Sequence, residues 1–206
     1  TEQVKVLPTG VDLNRFAFSQ SAEPGRLLFV GRFVEKKAPL FLLKAFNTAL
    51  RSGATLHLRL GGDGPLLDAA KAYVVSEGLS DSVTFLGALS HDAVYEELRR
   101  STAVIQHSIT AANGDTEGLP VILQEALAVG TPVVATEHSG IPEIITHGQH
   151  GYLVPEKDVS CMVEAIIDMS QLSDAAYTQM RRACRLQAET LLSRERRIDW
   201  IDAKIN

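Results

Sequence analysis

Glu117-Gly-Leu-Pro-Val-Ile-Leu-Gln-Glu125 runs on into Ala126-Leu-Ala-Val-Gly-Thr-Pro-Val-Val-Ala135 and reads as a loop, a helix and a strand in succession. Pro120 suits the first helical position, where its missing N–H would have had no partner anyway. Gly130 suits the helix end, and Thr131-Pro132 stops continuation. The same alternation extends in both directions. Strands are predicted over Arg26–Val30, Thr55–Leu60, Ser82–Leu86, Ala103–Gln106, Pro132–Ala135 and Tyr152–Val154. Helices are predicted over Pro39–Arg51, Pro65–Ser76, His91–Arg99, Pro120–Val129, Ile141–Ile145 and Val159–Met169, with Ser90 and Asp158 as N-caps. Strands and helices alternating at this pace predict an α/β, Rossmann-like, doubly wound parallel sheet of about six strands with helices on both faces. Beyond residue 172 the pattern turns wholly helical, over Asp174–Leu192 and Arg194–Ala203. The expected organisation is therefore one domain over residues 1–172, with C-terminal helices over 173–206 packed on it.

Composition narrows the function. The chain has 206 residues, 45% hydrophobic and 22% charged, with a net charge of −5. That is ordinary for a globular domain and argues against nucleic acid as a partner. No apolar run approaches the roughly 20 residues needed to span a membrane, and no stretch reads as a secretory leader. Cys161 and Cys184 both fall in predicted helices and read as buried free thiols, which fits the cytoplasm. The opening at Thr1, directly into Glu-Gln-Val-Lys-Val-Leu-Pro-Thr-Gly-Val-Asp, reads as the interior of a longer protein.

The loop before the Pro120 helix carries the chemistry. A helix N-terminus offers free N–H groups and a positive dipole end, a ready site for phosphate. Glu117 lies in the loop and Glu125 within the first two helical turns, and each carboxylate can hold a vicinal diol of a ribose or hexose. Phosphate between two polyol grips is the outline of a nucleotide-sugar site.

This Glu-x7-Glu pattern resembles the signature of the retaining, GT-B-fold glycosyltransferases of family 4, also called group 1. Further family-like motifs stand in order on both sides, from about Val6 to Met169. Gly31-Arg32-Phe-Val-Glu-Lys36-Lys37 is similar to the family's Gly-Arg-x4-Lys element, with Ala38 where the family usually has glycine. The resemblance implies that Arg32 and Lys37 hold the donor diphosphate; only the five-residue spacing selects Lys37 over Lys36. Arg32 can grip phosphate bidentately and Lys37 adds a point charge, both opposing the negative charge that builds on the leaving group. Gly61-Gly62-Asp-Gly64-Pro65 is similar to the family's Gly-x-Gly-Pro turn, and either a plain tight turn or a ligand lining explains it. Val83-Thr-Phe-Leu86-Gly87 matches a Val-x-Phe-x-Gly strand, which implies that the backbone at Leu86 and Gly87 meets the nucleobase. Glu137-His138-Ser139-Gly140-Ile-Pro-Glu143 resembles the family's Gly-Gly-x-x-Glu turn, with Ser139 in place of the first glycine.

The resemblance implies the donor-binding, C-terminal half of such an enzyme, nearest to exopolysaccharide transferases of the colanic-acid and amylovoran type. Glu117, Arg32 and Lys37 would be the catalytic residues. Gly31, Gly62, Gly64, Leu86, Gly87, Gly118, Leu119, Pro120, Val121, Ile122 and Glu125 would bind the donor, expected to be a UDP-sugar with GDP- or ADP-sugar as alternatives. No cofactor and no metal are expected, because the cations and the helix N-terminus neutralise the diphosphate; Asp115-Thr-Glu117 is discounted as a metal motif. The expected partners are an acceptor-binding N-terminal domain absent from this chain and a saccharide or lipid-linked acceptor, at the cytoplasmic face of the membrane or free in the cytoplasm. His138 reads as a ligand or as a cap or surface group, and His107 as a cleft neighbour carrying no assignment; His57, His91, His147 and His150 are assigned nothing. The arginines of the tail, Arg181, Arg182, Arg185, Arg194, Arg196 and Arg197, read as a solvated face, or else as a contact with membrane or with the absent domain. A nucleotide-sugar epimerase half and a non-catalytic nucleotide-binding module are the competing readings. A nicotinamide dehydrogenase is disfavoured by the missing first-turn glycine fingerprint.

Overall fold

The computed structural model describes residues 10–193. Six strands form one parallel sheet: β1 (Arg26–Val30), β2 (His57–Gly61), β3 (Val83–Gly87), β4 (Ala103–Gln106), β5 (Val133–Thr136) and β6 (Gly151–Val154), in the order β3-β2-β1-β4-β5-β6. Successive strands step outward from β1 on one side and from β4 on the other. The sheet therefore reverses direction between β1 and β4, and the loops leaving those two strands part to form a crevice.

The central strands β1, β4 and β5 are mostly apolar and buried, because both faces are covered, whereas β2 and β3 towards the edge carry His57, Arg59 and Thr84 and are partly open. Leu27, Phe29, Ala103 and Ile105 point to one face, where they pack with α1 (Pro39–Arg51), α2 (Leu67–Ser76) and α6 (Val159–Ser170). Leu28, Val104, Val133 and Ala135 point to the other, against α3 (His91–Arg100), α4 (Val121–Val129), the short α5 (Ile141–Ile144) and α7 (Asp174–Gln187). The alternation along each strand thus sorts the chain into two cores. Ser90 and Asp158 cap α3 and α6 as expected, accepting from the Ala93 and Cys161 N–H groups, and Ser173 caps α7 in the same way.

Several boundaries differ from the sequence reading. β2 begins at His57, two residues later than expected, and both β2 and β3 run one residue further, to Gly61 and Gly87. Pro120 is the N-cap of α4 and not its first residue: its ψ of 127° is extended, and Val121 starts the helix. Pro65 lies in a turn ahead of α2, because the Leu66 N–H is drawn to the Phe33 carbonyl. The tail helix does not stay α to Leu192. It widens into a π-type turn over Ala188–Leu192, which puts Ala188 and Leu192 into the core and lets the Leu192 carbonyl accept from the Val11 N–H. The expected helix over 194–203, with Arg194, Arg196 and Arg197, lies outside the described residues.

The solvated-face reading of the tail fails at Arg181 and Arg185. Arg181 is buried, lies over the rings of Phe18 and Tyr177, and donates to the Ser19 carbonyl. Arg185 donates to the carbonyls of Phe16 and Ala128. These cations fasten α7 to the N-terminal segment and to the end of α4; Arg182 is the exposed one. Cys161 and Cys184 are free thiols, and only Cys184 is buried. No helix of the described residues is long and apolar enough to cross a membrane.

Candidate functional site

The crevice between the β1 and β4 loops holds a cavity of about 300 Å³, walled by Lys37, Leu89, His91, Glu117, Val121 and Glu125 among others. A larger hollow of about 600 Å³ lies at the opposite end of the sheet, around Gly25, Gly53 and Gln171, and contains no charged side chain. The chemistry is therefore gathered in the smaller one.

The β1 loop supplies the cations. Gly31 leaves the strand, and a 3₁₀ turn over Glu35–Lys37 swings Lys37 inward, where it is only 8% exposed. Its Nζ stands 2.9 Å from Oε2 of Glu117, so the pair spans the crevice from the β1 loop to the β4 loop. Oε2 is sealed from solvent, so the Lys37 ammonium is the charged partner it has there. Burial pushes the Lys37 ammonium below its usual pKa, and the Glu117 carboxylate opposes that shift. Lys36 faces away and pairs with Asp115 at 3.0 Å while donating to the Thr116 carbonyl. The two lysines are thus turned apart, and Asp115 and Glu117 each face one of them. Arg32, in the β1 loop, is exposed and, among the described residues, forms no ion pair or side-chain hydrogen bond.

The β4 loop and α4 supply the acceptor and donor groups. Val121 and Ile122 open α4, where their N–H groups have no intrahelical acceptor, and both line the cavity with Pro120. Gly118 and Leu119 lead into that turn, and the Gly118 carbonyl accepts from the Gly140 N–H. Glu125 is buried, with His91 Nδ1 4.0 Å from Oε1. Burial raises the Glu125 carboxyl above its ordinary pKa, against the lowering effect of His91 and Arg15. A second hollow of about 200 Å³ adjoins on the far side of Glu125, between Arg15, Phe16 and His91. His91 carried no assignment in the sequence, yet it borders both spaces; its position at the start of α3, beyond β3, is the signal that could have found it.

The glycine turn after β2 has a packing explanation. A Cβ on Gly62 would lie 1.9 Å from the Gly31 carbonyl oxygen, and one on Gly64 within 3 Å of the Phe33 backbone, with φ of 125° and 151°. Bare backbone at these two positions lets the β2 loop seat the β1 loop. Gly62 N–H also donates to the Gly87 carbonyl at 2.7 Å, which ties in the end of β3, while Leu86 packs its side chain on the α3–α4 core.

His138 is neither a surface group nor a helix cap. It is 2% exposed; its Nε2 accepts from the Glu117 N–H at 3.0 Å, and its Nδ1 lies 2.5 Å from Oε1 of Glu156. An accepting Nε2 places the ring proton on Nδ1, donating to the carboxylate. Oε2 of Glu156 accepts from the Thr110 N–H. Burial alone would raise the Glu156 carboxyl, but these donors hold it below its ordinary pKa. His107 does not reach the cleft. It is buried, stacked on Phe41 at 5.4 Å, accepts from the Lys157 N–H, and has its pKa pushed down by burial to about 4.

The sequence model described as glycosyl transferases group 1 matches residues 11–189. Amylovoran biosynthesis glycosyltransferase AmsK of Erwinia amylovora is 33% identical over 192 residues, covering 92% of this chain and 47% of that protein. The putative colanic acid biosynthesis glycosyltransferase WcaL of Escherichia coli is 34% identical over 186 residues, covering 88% and 46%. The chain thus spans about half the length of the relatives it matches. Among solved structures, Anabaena HepE in complex with UDP and glucose superposes with a TM-score of 0.84 at 19% identity, over 98% of this chain and 56% of that one.

Proposed function

Since the chain belongs to the glycosyl transferases group 1 family and has the Rossmann-like half of a GT-B fold, we propose that it binds the nucleoside-diphosphate sugar for a retaining hexosyl transfer in exopolysaccharide synthesis. The observation that carries this reading is the Lys37–Glu117 pair, 2.9 Å apart at the sheet's switch point and beside the N-terminus of α4. A dianionic diphosphate suits that place: Arg32 and Lys37 offer charge, and the first N–H groups of α4 offer aligned donors. Glu125, deeper in the cavity, is set to hold a ribose diol, and Glu117 the hydroxyls of the sugar. Donor entry would divide the resting pair, with Lys37 turning to phosphate and Glu117 to sugar.

As the glycosidic bond breaks, negative charge grows on the leaving diphosphate. Arg32, Lys37 and the helix N-terminus would stabilise it without a divalent metal. Attack from the face the diphosphate leaves would retain configuration, with the departing phosphate taking the acceptor's proton. The acceptor, a saccharide or lipid-linked saccharide in the cytoplasm or at the membrane's inner face, would be held by further chain outside the donor half. A UDP-sugar is the proposed donor, with a GDP- or ADP-sugar as the alternatives that the titration below separates.

The test is calorimetric titration with UDP, GDP and ADP in metal-free buffer, on the wild type and on Arg32→Ala and Glu125→Ala. One nucleotide should bind, and each variant should lose about 1.5–3 kcal/mol, the worth of a charge-assisted contact. Transfer by the whole enzyme that EDTA abolishes, or wild-type affinity in both variants, would sink the proposal.

A further inference from the structure

The β6 loop reaches across the end of the sheet to the Glu117 loop. Glu156, just past β6, uses one oxygen to hold the Thr110 N–H of the β4 loop and the other to orient His138 past β5. His138 then presents Nε2 to the Glu117 N–H. The neighbouring Lys157, held at a φ of 63°, gives its N–H to His107, so the β4 loop is gripped at two points by consecutive residues. The segment carrying Glu117 is exposed at Asp115, Thr116 and Gly118, and its other ties include the Lys36 and Lys37 side chains and the Gly140 N–H on the Gly118 carbonyl, so the His138 bond is the one that fixes the Glu117 N–H itself.

We infer that His138 and Glu156 are positioning residues, a brace that sets Glu117 for the donor sugar through a hydrogen bond to its backbone. The brace rests on the donor-binding reading, and its geometry names the atoms that matter. The ring nitrogen Nε2 must accept, so a protonated His138, or any side chain offering a donor there, would push the Glu117 N–H away. Oxygens on both arms of Glu156 are needed, because both of its partners are donors.

The atom-specific substitutions test this. His138→Gln can place its Oε1 near the Nε2 position and keep an acceptor; His138→Asn reaches only as far as Nδ1 and keeps the donor to Glu156 while losing that acceptor. Amide hydrogen exchange at Glu117, followed by NMR, should be at least about tenfold faster in His138→Asn, and intermediate in His138→Gln, which keeps the acceptor for the Glu117 N–H but not the bond to Glu156. Affinity for UDP-glucose should fall about tenfold in His138→Asn, with that for UDP changed less, and His138→Gln should restore part of the loss. Glu156→Gln, which leaves His138 in place, should shift both readouts in the same direction and serves where His138→Asn fails to fold. Unchanged Glu117 exchange in both His138→Asn and Glu156→Gln, or a His138→Gln that loses UDP-glucose as fully as His138→Asn, would overturn the brace. A wild type that binds neither UDP-glucose nor UDP, with the exchange pattern as expected, would instead overturn the UDP-sugar donor reading and with it the sugar-positioning role.

Discussion

Two positions where the family resemblance calls for glycine carry other residues here, and both are left-handed. Ala38 has a φ of 41° and Ser139 a φ of 47°. An L-residue in that region is strained by about 1–2 kcal/mol, so the two departures legible in the sequence mark stored strain in the β1 and β5 loops. Ser139 is exposed, so little packing is lost on its replacement. Ser139→Gly should stabilise the fold by about 0.5–1 kcal/mol, the strain relief less the greater freedom of the unfolded chain. The measurement is a urea midpoint at constant m; a lower midpoint would refute the strain. Glu125 offers the opposite trade. Its carboxyl is raised by burial, so the ionised form is the disfavoured one in the fold: its penalty is present at neutral pH and relieved as pH falls through the raised pKa. Glu125→Gln should therefore gain about 0.5–1 kcal/mol of stability while losing about tenfold in nucleotide affinity. Loss of both together would make the carboxylate a structural group. Lys37 and Glu117 were legible because each sits at a fixed spacing within its own motif. His138 was not: its carboxylate partner Glu156 lies 18 residues on, beyond another strand, and only the sheet brings them together.

Among the elements, the strands of the inner sheet were the most legible. β1 and β4 fall where their apolar runs place them, since the buried cores Leu27–Val30 and Ala103–Ile105 stand out sharply from their surroundings even with Arg26 and Gln106 at an end. β2 was misplaced because Thr55 and Leu56 are as β-prone as the strand itself, yet pairing begins only where His57 N–H meets the Gly25 carbonyl. The side of the sheet facing α3 carries an ion cluster that no local pattern reveals: Glu97 of α3 meets Arg26 of β1 at 2.8 Å and Arg59 of β2 at 2.7 Å. Burial alone would raise the Glu97 carboxyl, but the hydrogen bond from Arg59 and the charge of Arg26 hold it below its ordinary 4.5. A depressed carboxyl contributes stability that is fully present above the unfolded value and is lost as pH falls through the folded one. Glu97→Gln should cost about 2 kcal/mol at neutral pH, less than a fully enclosed pair because the cluster is partly solvated. Its deficit against the wild type should shrink to nothing in acid. A deficit independent of pH would assign the effect to packing instead.

At the scale of the molecule, the Lys37–Glu117 pair joins the half of the sheet built from β1–β3 to the half built from β4–β6, across the crevice of the proposed donor site. Side-chain exposures of 10% and 18% make each charge costly to leave alone. Lys37→Met strands a carboxylate, and Glu117→Gln strands an ammonium that burial already pushes toward neutrality. For that ammonium the sign is reversed: a depressed lysine is a penalty at neutral pH that is relieved as pH rises through its folded pKa. Each single substitution should therefore destabilise by about 2–3 kcal/mol, and the Glu117→Gln deficit should narrow in alkali. With both charges gone neither penalty remains, so the double variant should sit within about 1 kcal/mol of the wild type, a coupling energy far outside additivity. Denaturant midpoints of the four proteins give that cycle directly, and additive singles would mean that solvent, not the partner, satisfies each group. The same arithmetic explains why the site can rest without a ligand and still accept one. Two charges that neutralise each other across the switch point hold the loops in register; in the proposed donor complex a diphosphate would take Glu117's place as the anion beside Lys37, and the sugar hydroxyls would hydrogen-bond the freed carboxylate.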